Sequence, residues 1–556
     1  MKVKTLKLVL ILAAVFAVLY MSSSKVRRVF SIYAQGQSEV LKDYDLESLS
    51  VSERGAVYFV GGDFGALNTD TLRGSAAPWS LLASLIALNH VQGDLDKVTW
   101  EAVNDAFAQW GFTSGTHIAN WPEGLARPKL KGPLGLNIGV VERSVPPIKI
   151  TASNLSCAAC HSSVAYDAQG NPDTKQIWLG QPNPSISLEA YPQAIYDSFL
   201  NYGQDPKLFE AMDKLFPDLP SKERNTLKRF VLPAANKRIA ELKETLGRAV
   251  PFKGGYPGAT NGVDSLHIRL GIMDPAIMSE SSAYNSIPNI EGHGFRTSFL
   301  NVGNYQLPNV DGDAVITRED IDEAHLDRLG QMVAFFTVPA FGVTPEIAED
   351  HINEAQDAMH FSASLKTQPF PGEIDTPLSK AGETLYAKLC ASCHGSYDGA
   401  DLVSFPNAID DVGTDRLRIE ILNNANTADA INSSVMGKYI NAVDPLGYIA
   451  PPLDGIWATA PYFHNGSVPT LYHLFNPETR PVRFYVGGQK LNYDLVGIDG
   501  DLIEGVWTYP QDYEPWSPPI LFDTSLSGHG AQGHEAEFDG LDEAQKKALI
   551  EYLKTL

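Results

Sequence analysis

Apolar residues along the chain fall into a few clear periods, separated by long stretches that have none. Residues 80–90 (SLLASLIALNH) and 100–110 space their apolar positions at helical intervals and predict two helices. Residues 208–216 and 222–246 predict further helices, the second so charged that it faces solvent, and another covers 325–336. Leu378, Ala381, Leu385 and Leu389 share one helical face behind Thr376 and Pro377, which read as N-cap and first helical position. Leu541, Ala548, Leu549, Tyr552, Leu553 and Leu556 make a second amphipathic stripe at the C-terminus. Elsewhere Gly and Pro dominate: residues 121–147 read as Pro-rich connections, and 251–310 as ordered irregular structure without a period. A chain of 556 residues is too long for one core, and residues 365–374 (LKTQPFPGEI) are the best boundary.

One apolar run is of another kind. Lys2, Lys4 and Lys7 precede residues 8–21 (LVLILAAVFAVLYM), and Lys25, Arg27 and Arg28 follow. Fourteen apolar residues suit the core of a signal peptide better than a full membrane span. The cleavage pattern is poor, however, with Ser22, Ser24 and Ala34 as weak sites, so an uncleaved inner-membrane anchor is the alternative. Either way the rest of the chain is expected outside the cytoplasm, in the periplasm or beyond.

Charge narrows the partners. There are 43 basic and 66 acidic residues, a net charge of −23, which repels phosphate backbones and argues against nucleic acid. It suits a basic redox partner, although acidity for solubility alone explains it equally well.

All four cysteines fall in two copies of one motif, NLSCAACHSS at 154–163 and KLCASCHGS at 388–396. Cys-x-x-Cys-His is the attachment signature of c-type haem: two thiols add to the vinyl groups on one porphyrin edge, and the adjacent histidine reaches the iron. Cys157, Cys160 and His161 would hold one haem, and Cys390, Cys393 and His394 a second. Zinc needs four ligands brought together, and these pairs lie over two hundred residues apart in sequence. A redox-active dithiol requires no histidine and no repetition. Beyond this motif no internal repeat stands out.

A haem ligated on both faces carries electrons, whereas an open face binds oxygen or peroxide. Candidates for the sixth ligand of the second haem are Met436, His464, His473, His529 and His534. His464 and His534 stand out because they lie on Gly-rich loops inside the haem domain. Near the first haem, Met273, Met278, His267 and His293 are scattered without a supporting motif, which points to an open iron.

SKAGETLYAKLCASCHG together with ALIEYLKTL looks like the first and last helices of a cytochrome c domain. ATAPYFHNGSVPTL (458–471) resembles the C-terminal signature of bacterial di-haem cytochrome c peroxidases, and RTSFLNVG (296–303) faintly echoes a segment between their haems. The closer resemblance is to the rubber-oxygenase branch of that superfamily, which includes di-haem fatty-acid dioxygenases. It rests on FPNAI and VGTDRLR within 405–418, and on FDTSL, GHE and ALIEYLKTL within 522–556. The resemblance covers roughly residues 130–556 and is dense only after Thr384. It implies a reactive first haem at His161 and a bis-ligated second haem with His534 as sixth ligand. His464, beside Tyr462, would stand near that haem as the alternative ligand. Phe295 and Phe299 are expected as pocket walls at the first haem, and Trp178 or Phe295 as a bridge between haems. The peroxidases carry a tryptophan and a distal glutamate where this chain reads NYQLPNVDGDAVITRED, so peroxide heterolysis lacks its positioned acid unless Glu291 or another group supplies it.

Finally, NVDGDAVITRED (309–320) reads like a calcium loop, with Asn309, Asp311, Asp313, the Val315 carbonyl, Thr317 and Asp320 at the ligand positions. Ala314 replaces the usual Gly and Asp320 the usual Glu, and an acidic turn capping a helix is the alternative. The expected protein is mainly α, with a leader at 1–34 and two cytochrome c-type haem domains, at 35–370 and 371–556. Its expected activity is O2 or peroxide activation on an unsaturated lipid or isoprenoid, a small molecule or polymer. A small redox protein would be its electron partner. The rivals are a hydrogen-peroxide reductase and a non-catalytic electron carrier.

Overall fold

The computed structural model describes residues 35–64, 67, 76–115, 117–143, 148–250, 255–274, 283–340 and 344–556. The leader at 1–34 and Met278 lie outside the described residues. Among the described residues no helix is long and apolar enough to cross a membrane.

The helical periods form helices at Trp79–His90, Trp100–Ala108, Lys207–Leu215, Leu232–Thr245 and Glu323–Ala340. Helix outweighs strand, but small sheets are more numerous than the hydrophobic pattern announces. The longest hairpin pairs Leu136–Arg143 with Ile148–Leu155 and begins inside the stretch read as a Pro-rich connection. Its strands are eight residues long, but Asn137 and Gly139 break the apolar run that would have revealed the first.

The second cytochrome-like unit is built by helices Thr376–Leu389 and Glu543–Leu553, which cross at Gly382. A Cβ there would overlap the Ala548 carbonyl oxygen and stand 2.9 Å from Tyr552 Cβ, so only glycine lets the backbones meet. Tyr386 and Tyr552 then pack with ring centroids 5.1 Å apart. The N-cap is Asp375, one residue before the expected Thr376; its side chain accepts from Leu378 N at 3.0 Å, leaving Pro377 in the first turn.

The structure overturns the expectation of no repeat. Helices Val51–Gly61 and Ile352–Ser364 reproduce the same crossing at the other end of the chain. A Cβ on Gly55 would overlap the Asp357 carbonyl oxygen and stand 2.7 Å from Phe361 Cβ, while Phe59 and Phe361 pack at 5.5 Å. In both crossings the packed aromatics lie four residues beyond the glycine and four beyond the touching carbonyl. A second segment repeats as well. IPNIEG (287–292) and APPLDG (450–455) each end in a left-handed glycine, Gly292 at φ 74° and Gly455 at φ 60°. Each continues into a 3-10 turn, His293–Phe295 and Ile456–Ala458, and then a left-handed Leu300 (φ 67°) or Phe463 (φ 68°).

The repeat is hidden because the first unit holds residues 62–156 between its first helix and its cysteine motif, whereas Leu389 runs straight into Cys390. That insertion contains the buried helix Trp79–His90 and the hairpin. One hydrophobic cluster, from Ala56 through Trp457 to Leu556, joins both halves.

Candidate haem sites

The hairpin ends at Leu155 and delivers the short helix Cys157–Cys160. Gly135, at φ 89°, lets that helix lie against the hairpin, since a Cβ would collide with the Ala159 backbone. His161 Nδ1 meets the Pro288 carbonyl oxygen at 3.1 Å. In the second unit Ala391–His394 follows directly on the first helix, and His394 Nδ1 meets the Pro451 carbonyl at 2.8 Å. The two prolines are the same position of the repeated segment. A histidine whose Nδ1–H donates to a backbone carbonyl has its Nε2 lone pair free for a metal, with the ring fixed in orientation.

Both rings keep partial exposure, yet burial holds each pKa down to about 4. All four thiols are free, and burial pushes those of Cys157, Cys160 and Cys390 up to about 12. Thiols held protonated do not suit dithiol redox chemistry. Among the described residues no three His, Cys, Asp or Glu gather as they would around a metal ion.

The second cradle is closed from its far side. The His534 ring stands 6.3 Å from that of His394, inclined by 30°. Two metal–imidazole bonds of about 2.0 Å, continued to the ring centres, span about 6 Å, so an iron fits between them. His534 is left-handed (φ 56°), follows Gly533 at φ 115°, and donates its backbone N–H to Val412 O at 2.9 Å. Phe463 and Phe538 flank its ring, each at 5.9 Å, and Nδ1 lies 3.7 Å from the Glu537 carboxylate. Val412 and Thr414 of the VGTDRLR stretch thus hold the histidine loop in place.

The other four candidates are engaged elsewhere. His464 stacks on Tyr448 at 3.8 Å, with its pKa lowered to about 3 by burial and by Arg418. His473 Nδ1 bonds Thr470 Oγ1 at 2.8 Å, and His529 Nδ1 bonds the Asp523 carbonyl at 3.1 Å. Met436 is fully buried in another apolar cluster. Tyr462 directs its hydroxyl to backbone carbonyls of Ile456 and Val496, both at 3.2 Å.

Around the first cradle, Cys157 and Leu300 border an apolar cluster containing Phe299, Met332 and Phe335. Phe299 packs on His293 at 5.6 Å and on Phe336 at 5.3 Å. Phe295 points elsewhere, into a small core with Ile316, Leu402 and Phe405. The two phenylalanines therefore do not line one pocket. His267 Nε2 bonds Tyr305 Oη at 2.7 Å, and Met273 is buried in the large core. Glu291 lies on the loop beyond Pro288, where its carboxylate accepts from Asn289. Trp178 sits on the strand Pro172–Leu179, whereas the aromatic buried between the two halves is Trp457, 6.4 Å from Tyr166 and bonded to Gln368 O at 3.2 Å. Only its place in the repeated segment could have singled it out.

The calcium reading gains no support. Asp320 turns its carboxylate onto Thr317, accepting from N at 2.9 Å and Oγ1 at 2.7 Å, and so caps the turn Arg318–Asp320. Thr317 itself is paired to Ser404 in a strand.

Residues 447–485 match a family described as RoxA-like, cytochrome c-like, so the chain carries a domain of that kind. Two uncharacterized proteins of Sinorhizobium fredii (strain NBRC 101917 / NGR234) are similar to the chain. One, y4iM, is 30% identical over 235 residues, covering 35% of this chain and about half, 52%, of that relative. The other, y4iJ, is 29% identical over 493 residues, covering 73% of this chain and 77% of its own.

Proposed function

We propose that the protein is an exported di-haem c-type oxidoreductase that oxygenates an unsaturated lipid or isoprenoid chain. The RoxA-like domain supports the coarser statement, a cytochrome oxidoreductase. Cys157, Cys160 and His161 hold one cofactor; Cys390, Cys393, His394 and His534 hold the other. Bound haem supplies an iron that exchanges electrons and, where one face is free, takes O2 or a peroxide.

The observation that carries this reading is the asymmetry of the repeat. His534 stands nine residues before the helix that closes the second unit. In the corresponding approach to Ile352–Ser364, residues 336–350 (FTVPAFGVTPEIAED) contain no His, Met, Cys, Lys or Tyr, and His351, the N-cap of that helix, is engaged through Nδ1 with Glu354 Oε1 at 2.8 Å. Phe299, Phe336 and Leu300 give that side an apolar wall, suited to an apolar chain and to keeping water out. Glu291, the acid considered for peroxide heterolysis, lies on the proline loop that orients His161 and accepts there from Asn289. This favours oxygenation over hydrogen-peroxide reduction. His161 is held in one tautomer by Pro288, and His394 by Pro451. A small redox protein is the electron partner in this reading, and the leader at 1–34 the export signal.

The test begins with a pyridine haemochrome assay, expected to return two haems per chain. A carbon monoxide difference spectrum of the reduced protein should then show one haem binding and one not. Oxygen uptake with oleate or polyisoprene should exceed hydrogen-peroxide turnover. Two haems that both ignore carbon monoxide would make the protein an electron carrier, and dominant peroxide turnover would make it a peroxidase.

A further inference from the structure

The two repeated loops meet face to face, and each brings one carboxyl to the meeting point. Glu291 lies three residues after Pro288, and Asp454 three after Pro451. Asn289 Nδ2 bridges the loops, donating to Glu291 Oε2 at 3.2 Å and to the Asp454 carbonyl at 2.5 Å. Gly292 is close enough that a Cβ would stand 2.9 Å from Asp454 Oδ2. Both carboxylates are held by neutral donors, since Asp454 Oδ2 accepts from the Tyr397 hydroxyl at 3.1 Å. Lys366 and Asp401 act on Asp454 from farther away with opposite signs.

The cluster is also incompletely satisfied. Glu291 is 1% exposed and its Oε1 has no partner among the described residues; nor has either amide atom of Gln181, which is 0% exposed. Gln181 fits against Gly455, where a Cβ would be 2.7 Å from its Nε2, and Glu291 against Gly180. Unpaired polar atoms at this depth are what a protonated carboxyl or an ordered water satisfies.

We propose that Glu291 and Asp454 are a shared proton store between the two haem cradles. The pair takes one proton from solvent when the cofactors accept one electron from an outer-sphere one-electron donor, and releases it on reoxidation. The inference rests on both cradles holding haem, but not on oxygen chemistry. Glu291 is buried, Asp454 is only partly exposed, and the charge of Asp454 acts on Glu291, so ionising both together is disfavoured. Burial pushes Asp454 up to about 6 and Glu291 well above the usual carboxylate range, with the charge of Asp454 adding to the second. Each carboxyl sits three residues beyond the carbonyl that orients a haem histidine, so an electron arriving at either iron raises the proton affinity of the pair.

Spectroelectrochemical titration of the full holoprotein from about pH 5 to about pH 9 tests this. One proton per electron is a tenfold change per pH unit, about 59 mV. At least one haem of the wild-type chain is expected to fall with that slope above about pH 6. Glu291→Gln and Asp454→Asn should each flatten it while the haemochrome assay still finds two haems. Potentials independent of pH in the wild type would overturn the proposal, as would an unchanged slope in variants with full haem content. Should the variants not fold, redox-difference infrared spectra of wild-type protein with isotope-labelled Glu or Asp decide. A labelled carboxyl band that changes on reduction supports the store, and bands from haem propionates alone refute it. Loss of a haem would instead strike the cofactor reading, and failed oxygen uptake would leave the slope intact.

Discussion

His534 owes its place to a left-handed backbone that a non-glycine residue adopts at a cost of about 1 kcal/mol. His534→Ala is expected to leave two haems attached but to open the second, so that the carbon monoxide difference spectrum roughly doubles. A partly buried group of another kind, His464, contributes to acid stability. Its folded pKa of about 3 lies below the unfolded value of about 6.5. Between those values the unfolded chain binds the extra proton, so stability is complete above about pH 6.5 and falls as the pH drops toward 3. His464→Phe, which keeps the stack on Tyr448, should remove about 2 kcal/mol of the acid-induced loss seen in urea midpoints between about pH 7 and pH 4. At this scale the two Cys-x-x-Cys-His motifs were legible, because the thiol chemistry proposed for them fixes their spacing. The neighbours of Phe295 were not, since Phe299 is only four positions on, and the change from the 3-10 turn His293–Phe295 to the strand Ser298–Phe299 sends the two side chains to different cores.

Two helix crossings define the units, and each depends on one glycine. Gly382→Val and Gly55→Val should each cost about 3 kcal/mol in urea unfolding, because a side chain there meets backbone rather than a movable tip. The second crossing could be read from sequence because helix, cysteine motif and terminal helix each carry a clean period. The first could not. Val51–Gly61 is short, its capping box of Ser50 and Glu53 is a weak signal, and the cysteine motif it serves follows almost a hundred residues later. Strands were missed for a related reason: many are only two or three residues long and are held by neighbours distant in sequence.

Across the whole molecule, the halves share one core and a buried ion pair between Asp264 and Arg418. Arg418→Met would strand a carboxylate that is 0% exposed and should cost about 3–5 kcal/mol in urea unfolding. Adding Asp264→Asn should recover much of that loss. Arg418 belongs to the VGTDRLR stretch, so a motif recognised from sequence proves to lock the halves as well as to brace His534. Sequence could mark that stretch but not its partner, because Asp264 lies in a segment with no period.

The long insertion in the first unit bears on biogenesis. Val51–Gly61 cannot find its partner until residue 364 has been made, whereas the second unit closes within residues 376–556. In the exported protein proposed above, Cys157 and Cys160 would wait roughly 200 further residues for their crossing to close, and Cys390 and Cys393 roughly 160. Premature pairing within either Cys-x-x-Cys motif is the maturation error this architecture invites.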